Sequence, residues 1–258
     1  MTTPLTESSP KAWRPDIPPE TNPTVSLGPY PTPSHGPGGN FTISYSTRIA
    51  ASPRICLDTV LKASDYPLWN RFCRQAIIDE QPLPLVNNPP FPGLGFLPDS
   101  SPGHLRLGTK FTFDVHVDAE NEHSSGRPTP LVVSVLEPID EEIATDLASG
   151  GSNHAKGKSP RRKGYRVAWK SRGTLLLPLW MLRAERVQEF IEVANPFGTR
   201  DEPETEYICW ETFYGTLAPV VRLAAASKVM TGLGAWIDGL QKHAEQRERT
   251  EGAFAPDK

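Results

Sequence analysis

Cysteine is scarce: three among 258 residues (Cys56, Cys73, Cys209), far apart and with no CxxC spacing. That excludes a disulfide scaffold and a cysteine zinc site, and it fits a reducing compartment. Long apolar runs are missing too. The longest, residues 175–182, falls well short of the ~18 needed to cross a bilayer, so no membrane span is expected. There is no excess of positive charge, with 27 Lys and Arg against 30 Asp and Glu, which argues against nucleic acid as partner. The opening residues Met1-Thr-Thr-Pro-Leu-Thr-Glu lack the charged-then-apolar order of a signal peptide, so the expected location is cytoplasmic.

Catalytic signatures are equally sparse. No His, Asp or Glu spacing resembles a metal site and no nucleophile elbow is present, so neither metal nor cofactor is expected. Gly157-Lys158-Ser159 imitates the end of a phosphate-binding loop. Ser152 stands where its first glycine belongs, and Pro160 blocks the helix such a loop must open.

Proline is abundant, 28 residues, and ten of these fall within residues 1–39. With few apolar anchors, that segment reads as a disordered or loosely draped tail. Residues 40–247 read as one domain, residues 148–162 as a flexible Gly/Ser/Lys/Arg-rich insertion, and residues 248–258 as a disordered C-terminal tail. The Pro/Gly-rich loop at 82–103 carries Leu94, Phe96 and Leu97, which suggests that it packs on something.

Strand periodicity begins at Phe41. Ser52-Pro53 places an N-cap and a first-turn proline at a helix start. A second short helix follows Asp65-Tyr66-Pro67, with Leu68, Trp69 and Phe72 expected to face inward. Strand patterns recur at 76–79, 109–118, 131–136, 165–170, 183–193 and 207–214. No helical pattern separates these later runs, so the sheet should be antiparallel. Within 109–118 the alternation puts Phe111 and Phe113 on one face and His116 on the other, exposed one. From Pro219 onward, Leu223, Ala226, Met230, Leu233, Ile237 and Leu240 recur at spacings of three and four, one apolar stripe along a long helix. Gly232, Gly234 and Gly239 interrupt it. Each weakens a helix by up to ~1 kcal/mol relative to Ala, which implies that something approaches that backbone closely.

This order resembles the helix-grip fold of the START-like (SRPBCC, Bet v 1-like) superfamily, which includes polyketide cyclase/dehydrase-type domains. The resemblance spans about residues 40–247. It is carried by Asp65-Tyr66-Pro67-Leu68-Trp69-Asn70, by Leu107-Gly108-Thr-Lys-Phe-Thr-Phe, and by Glu204-Thr-Glu-Tyr-Ile-Cys-Trp-Glu-Thr-Phe-Tyr-Gly-Thr-Leu before the last helix. It implies an α+β domain in which a curved antiparallel sheet wraps a long C-terminal helix, with two short helices after the first strand. It also implies a cavity between sheet and helix for a hydrophobic guest: polyketide-, lipid- or terpenoid-like.

For that cavity the candidate lining is aromatic. Trp69, Phe72, Phe111 and Phe113 come from the first half, and Trp169, Trp180, Trp210 and Phe213 from the later strands. Met230, Leu233 and Trp236 come from the helix. Core packing is the plainer reading of any one of them. Glu211, set among apolar strand residues, is a candidate acid or base, and Arg186 a candidate anchor for a ligand carboxylate or enolate. An ion pair between the two along the sheet is the simpler alternative. Tyr66 and Tyr214 are weighed as hydrogen-bond donors to a ligand carbonyl, with turn and rim roles as equally good readings. Three functions remain open on sequence: a cofactor-independent cyclase-like enzyme, a non-catalytic carrier or sensor, and a co-chaperone-like interaction domain.

Overall fold

The computed structural model describes residues 14–26, 28–83, 93–97, 103–142, 161–193 and 203–253. Among these, eight strands form one antiparallel sheet. They are β1 (Thr24–Val25), β2 (Phe41–Ile49), β3 (Cys73–Glu80), β4 (Lys110–Val115), β5 (Arg127–Glu142), β6 (Arg161–Ser171), β7 (Arg183–Glu192) and β8 (Thr205–Tyr214). The sheet order is β1-β2-β8-β7-β6-β5-β4-β3. Strands β3 to β8 form a meander, and β2 joins beside β8 at its far side. The chain therefore crosses the whole sheet between β2 and β3. That crossing holds α1 (Pro53–Leu61), a short 3-10 turn (Ala63–Asp65) and α2 (Tyr66–Trp69). The long α3 (Ala218–Ala253) lies across the same face of the sheet and packs on β2, α1 and α2. This is the helix-grip arrangement. Register shifts at Cys73/Gln75, Ile78/Glu80 and Val133/Val135 add the local bend that a curved sheet needs.

Alternation sorts the side chains of each strand. Phe41, Ile43, Tyr45, Phe111, Phe113, Trp169, Phe190, Tyr207 and Cys209 face inward and join the main core with Leu233, Trp236 and Leu240 of α3. Each such fully buried large side chain contributes roughly 1.5–3 kcal/mol. The α1–α3 contact is polar as well. Asp58 pairs with Arg247 at 2.7 Å and with His104 at 3.0 Å. Ser52 precedes α1 as expected, but its N–H and hydroxyl donate to Glu248 of α3, at 2.7 and 2.8 Å, rather than capping its own helix.

Two glycines of α3 explain how closely it seats. A Cβ on Gly232 would lie 2.2 Å from the Phe72 ring, and one on Gly239 would lie 2.0 Å from the Trp69 carbonyl oxygen. Gly234 meets nothing within 4 Å, so the close approach inferred from sequence applies to the other two only.

Several expectations are corrected. Residues 14–26 and 28–39 are not a loose tail: they run over the outer face of the sheet, add β1 to its edge, and bury Ile17 against Ala168, Val187, Ile208 and Trp210. The outer face carries enough apolar surface, alternating with charge, to hold a Pro-rich segment that has no core of its own. Trp210 therefore points outward, away from the cavity, and its indole N–H donates to the Pro31 carbonyl at 3.2 Å. α3 runs through 253, so residues 248–253 are helical. Leu68 and Leu223 are exposed, not inward. His116 is buried, because the chain after β4 folds back and Ser124 and Asp114 hold both ring nitrogens. The insertion at 148–160 and the phosphate-loop lookalike lie outside the described residues. Within the Pro/Gly loop, Leu94 and Leu97 are buried and Phe96 meets the Tyr165 ring edge-on at 5.3 Å.

By length and composition alone, α3 could cross a membrane. Leu233, Trp236, Leu240 and Ala244 along it are wholly buried against the sheet and α1, as in the core helix of a globular domain.

Candidate functional site

The space between sheet and helix is divided in two. Beneath the C-terminal half of α3 it is filled. Tyr66, Trp69, Phe113, Trp169 and Trp236 pack ring against ring, with centroid separations of 5.0–6.1 Å. The tight seating at Gly232 and Gly239 brings the helix down onto these rings. Nearer the N-terminal end of α3 the space opens into a cavity of about 330 Å³. Phe72, Phe113, Trp169 and Phe213 line it, with Leu131 from β5, Val229 from α3, and Leu177 and Leu182 from the β6–β7 loop.

Four inward side chains cross the sheet in one row: Trp169 of β6, Arg186 of β7, Glu211 of β8 and Ile43 of β2. Arg186 and Glu211 are the charged pair in this row, and both line the cavity. Arg186 donates through Nε at 3.1 Å and Nη2 at 2.7 Å, both to Glu211 Oε2. Its guanidinium also lies over the Trp236 ring, 5.2 Å from the centroid. The arginine side chain is only 7% exposed, and its Nη1 has no hydrogen-bond partner. Burial by itself would make the cation less stable. The facing Glu211 carboxylate, together with smaller contributions from Tyr45, Cys209 and Cys73, outweighs that and holds the guanidinium pKa well above its ordinary value. The pair is thus the ion-paired arrangement weighed from the sequence, with one donor of the fork left over.

Behind it lies a buried polar chain that was not singled out from the sequence. Tyr207 donates to Gln188 Oε1 at 2.6 Å, accepts from the Trp236 indole N–H at 3.1 Å, and meets the Tyr45 hydroxyl at 3.2 Å. Burial raises both phenol pKa values well above the usual range. It pushes the thiols of Cys56, Cys73 and Cys209 up to about 12, so they stay protonated at neutral pH. Polar residues on inward positions of otherwise apolar strands were the available signal, but Gln188 and Tyr207 have ordinary outward-facing counterparts in any sheet.

Besides Trp210, which points outward, the other ten aromatic and apolar candidates fall into three groups. Phe72, Phe113, Trp169 and Phe213 reach the cavity wall. Trp69, Phe111, Leu233 and Trp236 belong to the packed core, and Met230 lies half-buried beside it. Trp180 is largely exposed: it sits on the β6–β7 loop at the rim, where the turn at 178–182 directs it outward. Tyr66 is buried and donates to the Val60 carbonyl at 2.9 Å, whereas Tyr214 is bonded to Thr32 and Gly36 of the N-terminal segment. Both hydroxyls are thus engaged by the chain itself, not turned toward a ligand. Among the described residues, no group of three His, Cys, Asp or Glu is gathered for a metal.

No family model matches the chain. Among curated proteins it is 29% identical, over 182 residues, to the oxopyrrolidines biosynthesis cluster protein O of Penicillium oxalicum, covering 70% of this chain and 75% of that one. Among solved structures it is similar to a START superfamily protein from Mycobacterium smegmatis, with 12% identity, a TM-score of 0.42, and coverage of 80% of this chain and 97% of that one. It is also similar to the di-domain ARO/CYC BexL from the BE-7585A biosynthetic pathway, with 12% identity and a TM-score of 0.40, covering 81% of this chain and spanning half of that one. The chain's own strand order, with a terminal helix laid across one face of the sheet, gives it the helix-grip fold.

Proposed function

We propose that the chain binds a mostly apolar small molecule bearing an oxygen acceptor, a carbonyl, enol or carboxylate, in the cavity beneath the N-terminal half of α3. The observation that carries this is Arg186 Nη1: a charged donor, buried, without a partner, on a residue that lines a largely apolar cavity. Leaving such a donor unmet is costly, by about 1–3 kcal/mol, and a ligand oxygen would recover that. A volume of about 330 Å³ lies at the small end of ligand pockets.

The catalytic form of this reading is a cofactor-independent cyclisation. Arg186 would steady the oxygen on which negative charge develops. Glu211, with both recorded bonds from Arg186 falling on Oε2, would keep acceptor capacity on Oε1 to take a proton from the adjacent carbon. Aromatic walls would hold a flexible chain in its reactive fold. The relative's place in a biosynthesis cluster accords with a biosynthetic substrate.

Native mass spectrometry of the purified protein, with extraction of any bound compound, tests the binding. Ala184→Phe, which fills the cavity from β7, should abolish the adduct, and Arg186→Met should weaken it at least about tenfold. An adduct that survives both variants would place the guest elsewhere. With the compound in hand, Glu211→Gln separates the enzyme from a carrier. The enzyme loses turnover with affinity nearly intact, whereas a carrier shows no turnover in either form.

A further inference from the structure

Exposed apolar side chains are concentrated at the mouth of the cavity. Among the described residues, seven of the ten exposed large hydrophobics lie on the β6–β7 loop or the first turns of α3. Leu175 is 103% exposed, Leu176 93%, Trp180 65% and Leu223 92%; Leu177, Leu179 and Val220 complete the set. The loop is not loose. Thr174 N–H donates to the Leu177 carbonyl at 3.1 Å, and Leu177 N–H returns to the Thr174 hydroxyl at 3.0 Å, so a closed turn presents Leu175 and Leu176 at its tip. Leu217 N–H donates to the Met181 carbonyl at 2.8 Å and fastens the loop to the start of α3, making one continuous surface.

The charge carried by these two segments has one sign. Residues 171–184 and 212–237 contain Arg172, Arg183, Arg222 and Lys228 and no Asp or Glu, in a chain whose net charge is -3. Arg172 pairs with Asp79 of β3, whereas Arg183 is held over the Tyr214 ring and Arg222 and Lys228 lie exposed on α3. Two copies of such a face would bring like charges together, which disfavours self-association. Leu and Trp at the tip with Arg and Lys behind them are what an interfacial membrane contact requires.

We infer that the β6–β7 loop and the first turns of α3 form a docking surface for an anionic phospholipid bilayer, with Leu175, Leu176, Trp180 and Leu223 entering the headgroup region. The cavity mouth, walled by Leu177, Leu182 and Val229, then faces the lipid. The inference does not depend on what the cavity binds.

The test is sedimentation of the full chain with vesicles of phosphatidylcholine alone and of phosphatidylcholine mixed with phosphatidylglycerol. Binding to the mixed vesicles should be at least about tenfold tighter and should weaken as salt rises. Leu175→Asp with Leu176→Asp should abolish it at unchanged thermal midpoint, since both side chains leave the core untouched. Arg222→Ala with Lys228→Ala should weaken it about 25-fold, near fivefold for each cation. Brominated lipid should quench tryptophan emission in the unaltered chain and not in Trp180→Phe. No binding to either vesicle, equal binding to both, or full binding by the double Asp variant overturns the proposal. A concentration-dependent dimer that the double Asp variant abolishes overturns it too, by assigning the surface to a second copy. Adduct formation in the native mass spectra is a separate readout, so failure here leaves the ligand reading untouched.

Discussion

The two faces of the sheet are both buried, by different means. The inner face is covered by a helix and is mostly aromatic, with the Arg186–Glu211 pair as its charged feature at the cavity. The outer face is covered by the Pro-rich N-terminal segment and is densely charged. Glu189, wholly buried, accepts from Arg166 Nε at 2.9 Å and Nη2 at 2.7 Å, and pairs with Arg14 of the segment. Glu185, also wholly buried, accepts from the Ser34 N–H and hydroxyl and from Ser134. On the inner face the leftover donor Arg186 Nη1 lies at a cavity, where a guest has room. On the outer face Glu185 and Glu189 are met in both sign and hydrogen bonding by the chain's own residues. An unmatched cation beside a cavity points to a ligand; a carboxylate matched and covered points to structure.

The comparison breaks most sharply at Glu189. Removing it takes a wholly buried carboxylate from Arg166 and Arg14, which keep the more exposed Glu137 and Glu141, and Glu189→Ala should lower stability by about 3–5 kcal/mol in chemical denaturation. A loss below about 1 kcal/mol would mean that water reaches this face. On the inner face, Arg186→Met combined with Glu211→Leu should be near neutral for folding, since a buried pair replaced by apolar groups of like size loses little. Ligand binding should disappear in the same protein. Strong destabilisation would instead make the pair a structural bridge.

The glycines of α3 sharpen the division within the inner face. Gly239→Ala drives a methyl into the Trp69 backbone and should destabilise by about 1–3 kcal/mol. Gly234→Ala, with open space around it, should stabilise by about 0.5–1 kcal/mol. Matching effects at the two positions would show that the helix does not seat as described.

The smallest effect is a pH dependence of the N-terminal segment. Partial burial lowers the His35 pKa; Glu185 opposes this, and Arg183 and Lys170 add to it. A base with a depressed folded pKa stabilises the fold above its unfolded pKa of about 6.5, and that contribution fades as pH falls through the folded value. Amide exchange at residues 28–39 should therefore quicken modestly below about pH 6. A rate independent of pH, after intrinsic exchange is corrected for, would remove His35 from the seating of the segment.

How much was legible follows from where the information lies. Residues 41–49 and 109–115 alternate cleanly because one face of each strand meets an apolar core, so their strands could be read directly. On β7, Val187 and Ile191 were readable as apolar, but alternation assigns two faces without saying which one is inside. They proved to lie outward, among the charged and apolar contacts of the outer face. For the same reason Trp210 and Trp180 could not be sorted from Trp169 by residue type. Glu211 and Arg186 were picked out as an ion pair or a site, and the register that sets them opposite each other decided their geometry.

The sequence by itself determined the class of fold, the antiparallel meander, and the long helix, because periodicity and glycine and proline placement act over a few residues. Where the hollow sits, which aromatics fill it, and that a proline-rich stretch shields a buried charge network were decided only in the folded chain. These depend on contacts such as Arg166 with Glu189, 23 positions apart, and Trp210 with Pro31, 179 apart, and no local pattern encodes such a distance.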